Sequence, residues 1–60
     1  MIVPDHPENY TVRRTTPDDD AQMPFVMIHP DGRRTYALVE DALWQVARCE
    51  VRIDGLIASL

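Results

Sequence analysis

The hydrophobic pattern is most regular at the end of the chain. Val39, Ala42, Val46, Cys49, Ile53, Leu56 and Leu60 recur at alternating spacings of three and four. At about 3.6 residues per turn these positions form one stripe, with the heptad spacing of a helix that packs against another helix. Leu43 and Ile57 widen the stripe, and Glu50 interrupts it. A second row runs through Trp44, Ala47, Val51, Gly55 and Ala58. Two apolar rows exceed what a helix lying on one small sheet can bury. The pattern therefore predicts self-association through Val46, Cys49, Ile53, Leu56 and Leu60, with Trp44 and Val51 contributing. Arg48 and Arg52 are like charges one turn apart, as are Glu50 and Asp54, and an antiparallel partner helix could set the arginines against the acids. Asp54-Gly55 is also a two-residue hairpin signal, and β-branched Val51 and Ile53 favour that alternative. The seam stays in phase through the glycine, so one long helix is expected, at a cost of about 1 kcal/mol for Gly55 relative to Ala.

Upstream the period changes from that of a helix to that of strands. Tyr10 to Thr15 alternates, with Tyr10 and Val12 inward and Thr11 and Arg13 outward. Phe25 to Ile28 and Arg33 to Leu38 flank His29-Pro30-Asp31-Gly32. Here Pro30 sets the first corner of a type I turn, Asp31 the second, and Gly32 supplies the left-handed residue of a bulge. The predicted register places His29 opposite Arg33, Ile28 opposite Arg34 and Val26 opposite Tyr36. One sheet face then holds Val26, Ile28, Tyr36 and Leu38, and the other holds Phe25, Met27, Thr35 and Ala37. Both faces are apolar, whereas the helix covers one. Phe25 and Met27 are thus candidates for contact with a partner. Thr16-Pro17-Asp18-Asp19-Asp20 reads as a single capped turn, with Thr16 as the cap. Residues 1–9, with Pro4 and Pro7, form an extended, loosely held N-terminal arm. The fold class that follows is α+β: a three-stranded antiparallel β-meander and then one long C-terminal helix, β-β-β-α. It makes one small domain over residues 10–60.

Length sharpens the expectation of a partner. A chain of 60 residues buries about 60% of its unfolded surface, so small domains lean on disulfides, metals or oligomerisation. A single Cys excludes an internal disulfide. His6, His29 and the acids lack metal-ligand spacing, so no metal or other cofactor is expected. There is no glycine-rich phosphate loop and no nucleophile elbow, and Cys49 on an apolar face reads as a small hydrophobe. No enzyme activity is expected. One unpaired Cys, a start interrupted by Pro4-Asp5 and the lack of a long apolar run favour the cytoplasm and no membrane partner.

The formal net charge is −4, with six Lys and Arg together, all of them Arg. This does not favour nucleic acid in general. Arg13, Arg14, Arg33 and Arg34 would nevertheless converge at one end of the sheet if the first strand lay beside the third. They could then contact a protein partner or, in a dimer, DNA. The expected role is a small non-enzymatic protein-binding module that occupies a macromolecular surface as a homodimer. In size and composition it resembles accessory or inhibitor proteins of phages and mobile elements. The alternative is a dimeric DNA-binding transcriptional regulator using the arginines of the sheet.

Overall fold

The computed structural model describes residues 5–20 and 22–58. Strands β1 (Thr11–Arg14), β2 (Phe25–Ile28) and β3 (Arg34–Ala37) make one antiparallel sheet in the order β1-β2-β3, and helix α1 (Glu40–Ala58) follows. The α+β meander expected from the pattern is the observed fold.

The hairpin between β2 and β3 is set by its turn residues. The Gly32 N–H donates to the His29 carbonyl at 2.9 Å, and Gly32 adopts φ 93°, a conformation that costs an L side chain about 1–2 kcal/mol. The resulting register pairs Val26 with Tyr36 and Ile28 with Arg34. Across β1 the pairs are Val12 with Met27 and Arg13 with Val26. Alternation then puts Val12, Phe25, Met27 and Ala37 on one face, which is the face α1 covers.

The core under the helix joins Tyr10, Met27, Leu43 and Ala47, with Val12, Phe25, Ala37, Trp44 and Val51 packed around them. Ala47 is fully buried, and its small side chain lets the helix backbone come close to the sheet. Met27 is also fully buried, so it offers nothing to a partner, and Phe25 packs against the same core. The candidacy of Met27 for a partner surface is corrected by the choice of covered face, since α1 lies on the Phe25–Met27 side, while Phe25 stays half-buried at the margin of that core.

Val26 is completely buried although it faces away from α1. Its cross-strand neighbours there are Arg13 and Tyr36. The connection between β1 and β2 brings Asp19 to Arg13 and Arg34 on that face. The second apolar face is thus partly roofed by the chain's own loop.

Glu40 and Asp41 occupy the first turn of α1, where acids oppose the helix dipole favourably. The helix runs through Gly55 without a break, so the Asp54-Gly55 hairpin does not form. Leu60, the last residue of the seam, lies outside the described residues, as does the arm up to Pro4. Residues 5–9 are held more firmly than a loose arm. Pro7 is buried, His6 meets the Trp44 ring edge-on at 4.6 Å, and the Asp5 carbonyl accepts a bond from Arg48 at 3.1 Å. No helix of the described residues is long and apolar enough to cross a membrane.

Candidate interaction surface

The two apolar rows of α1 have different fates. Leu43 and Ala47 are buried against the sheet, and Trp44 and Val51 are half-buried beside them. The heptad seam points elsewhere. Val39 is 58% exposed, Ile53 49%, Leu56 62% and, next to the seam, Ile57 63%, while Val46 and Cys49 are exposed too. Of the residues expected to meet a second chain, Trp44 and Val51 are therefore largely committed to the intramolecular core. Val46, Cys49, Ile53 and Leu56 remain at the surface. Leu38, just before the helix, is also exposed.

The contacts of α1 fix which side of the sheet this surface overlooks. Trp44 and Arg48 meet the N-terminal arm at His6 and Asp5, on the side of β1. Glu50 meets His29 and Arg33 beside the β2–β3 turn. Val46, Ile53 and Ile57 lie on the Glu50 side of the helix, away from Arg48, and so flank the β3 edge, with Val39 immediately ahead of the first turn.

Glu50 ties helix to hairpin. His29 is buried, and its Nδ1 lies 2.8 Å from Oε2 and 3.2 Å from Oε1 of Glu50. Of these, the contact to Oε1 has hydrogen-bond geometry, and Oε2 has no hydrogen bond of its own. A carboxylate only accepts, so Nδ1 carries the proton and, in the neutral ring, Nε2 accepts from the Thr35 hydroxyl at 2.6 Å. Arg33 adds a second donor to Glu50 Oε1 at 3.0 Å and binds Asp31 at 2.7 Å. Asp31 is held below the usual carboxylate range, first by the backbone N–H of Arg33 and then by its side chain. Burial, with the Glu50 charge second, raises the Tyr10 phenol above its ordinary value.

Hydroxyl, imidazole and carboxylate stand here in the order of a nucleophilic triad. A cleft of about 240 Å³ beside them is lined by Tyr10, Pro30, Asp31, Arg33, Glu50 and Ile53, and a second of about 330 Å³ by the arm, Tyr10 and Val51. Thr35 lines neither. The arrangement works as a polar strut between β2, β3 and α1. Sequence reading missed it because His29 and Glu50 stand 21 residues apart. The available signal was Glu50 itself, an acid inside an otherwise apolar stripe.

The four arginines do not form one basic patch. β2, not β1, lies beside β3, so Arg13-Arg14 and Arg33-Arg34 sit at different levels of the sheet. Arg13 and Arg34 do meet, but over the buried Asp19 carboxylate, at 3.0 and 3.3 Å. Arg33 is turned to Asp31 and Glu50, and Arg14 lies 5.4 Å over the Phe25 ring. Three of the four guanidiniums are thus already paired with acids. Comparison with protein-family models, curated proteins and solved structures found no match.

Proposed function

We propose that this chain is a small non-enzymatic binding module that works as a homodimer and acts by occupying the surface of another macromolecule. The observation that carries this reading is the exposed apolar row Val46, Ile53 and Ile57, with Val39 just ahead of it, on the flank of a helix whose other apolar row already fills the core. Contiguous apolar surface of this kind marks a contact site. A chain of 60 residues also gains most from burying it, because its own core is small. The pairing of Arg13, Arg33 and Arg34 with carboxylates favours a protein partner over DNA, since a guanidinium engaged by an acid adds little to phosphate attraction.

Sedimentation of the wild type and of Ile53→Asp tests the reading. The wild type should associate to a dimer at micromolar concentration, and the variant should remain folded but sediment as a monomer, because Ile53 is about half exposed in the single chain. A wild type that stays monomeric throughout would overturn the homodimer. A salt-sensitive affinity for mixed-sequence DNA would instead favour the regulator.

A further inference from the structure

We propose that two copies join along the open edge of β3 into one six-stranded antiparallel sheet, with the Val46 flank of α1 facing its own image in the second copy. This rests on the homodimer reading above and names the geometry of that site.

The backbone supplies the first argument. The His29 N–H donates to the Arg33 carbonyl at 2.8 Å, which makes His29 and Arg33 a hydrogen-bonded pair. Such pairs alternate with non-bonded ones along an antiparallel ladder. Thr35 and Ala37 therefore turn their backbone groups toward β2, and Arg34 and Tyr36 turn theirs outward. Among the described residues nothing reaches the outward groups of Arg34 and Tyr36. The free edge of β1 is better guarded: the Arg14 carbonyl accepts a bond from Arg13 Nη1 at 3.1 Å, and the arm with Pro7 leads into that strand. An open edge with unpaired N–H and C=O groups is a template for another strand.

Charge supplies the second. The protein carries a net charge of −4, so most appositions of two copies set acid against acid. The flank bearing Val39, Val46 and Ile53 is apolar, and the acid beside it, Glu50, is already engaged by Arg33 and His29. Two copies can meet here without like charges in contact.

Register supplies the third. A twofold axis at Thr35 pairs Arg34 of each copy with Tyr36 of the other, so that both outward residues gain ladder bonds. Both side chains lie on the face away from α1. The guanidinium then meets a phenol ring, a favourable contact, and not its own image. An axis at Arg34 would oppose two arginines directly. The helix agrees with the Thr35 axis. Thr35 pairs with Met27, and Met27 packs under Leu43 and Ala47, so the level of Thr35 is the level of Val46. The same axis therefore sets Val46 against Val46 and Val39 against Ile53 of the antiparallel second helix.

Amide hydrogen exchange on the full chain, at dilute and concentrated conditions, tests the proposal together with Tyr36→Pro. Proline removes an N–H that the single chain does not use, and edge strands tolerate it. At the higher concentration the Arg34 and Tyr36 amides should exchange more slowly by about tenfold or more. Tyr36→Pro should give a folded monomer. A dimer whose Arg34 and Tyr36 amides exchange equally fast at both concentrations would overturn the edge pairing while leaving the homodimer intact. Failure to dimerise at any concentration would overturn both. Should Tyr36→Pro not fold, the exchange rates of the wild type decide.

Discussion

Asp19 shows how much one side chain organises on the side of the sheet that has no helix. Its carboxylate, with the side chain 2% exposed, accepts from Arg13, from Arg34 and from the Thr16 backbone N–H at 2.6 Å. The loop was expected to be capped by Thr16, but the direction is reversed: Asp19 reaches back to the Thr16 N–H. The Arg13 hydrogen bond, followed by that of Thr16, holds the Asp19 carboxyl well below the usual carboxylate range. An acid whose folded pKa is depressed contributes stability that is fully present above its unfolded value, about 3.9, and lost as pH falls toward the folded value. The thermal midpoint of the wild type should therefore fall as pH drops below about 4. Asp19→Asn should start lower at neutral pH and change less across the same acid window. Equal acid slopes for the two proteins in thermal melts followed by circular dichroism would show that Asp19 is not the titrating group.

At the scale of elements, the hairpin and the helix were legible because each is specified locally. Pro30, Asp31 and Gly32 set the turn and with it the register, and an apolar row in phase through Gly55 carried α1 past a competing turn. What the pattern could not rank was which of two apolar rows turns inward. The heptad seam is the more regular row, yet Leu43 and Ala47 face the sheet, because a fully buried alanine permits an approach that a row of Val and Ile does not. The arginine patch and the Glu50 strut were illegible for a different reason. Both depend on distant segments meeting, Asp19 with Arg34 and His29 with Glu50, and local spacing holds no record of that. The division of the helix makes a direct prediction. Leu43→Ala removes a fully buried side chain that packs on Met27 and should cost about 2–5 kcal/mol in urea unfolding. Ile57→Ala removes a side chain that is 63% exposed and should change the stability of the dilute, monomeric protein by only about 0.5 kcal/mol. A reversal of that order would mean that the seam, not the Leu43 row, packs on the sheet.

For the whole molecule, the question is whether folding and association are one equilibrium. The single chain keeps a small core, centred on Tyr10, Met27, Leu43 and Ala47, and leaves Val39, Ile53, Leu56 and Ile57 about half or more exposed. If two copies cover that surface, unfolding releases two chains and the midpoint depends on concentration by mass action. At about 0.7 kcal/mol of enthalpy per residue, a dimer of two such chains unfolds with on the order of 80 kcal/mol. A tenfold rise in concentration is worth about 1.4 kcal/mol. The van't Hoff relation then gives an upward shift of roughly 5 °C per decade of concentration. A monomeric chain gives none. Scanning calorimetry over two decades of concentration separates these outcomes cleanly, because the expected displacement of about 10 °C exceeds the uncertainty of a midpoint. A midpoint independent of concentration would mean that the folded single chain tolerates its exposed row without a second copy.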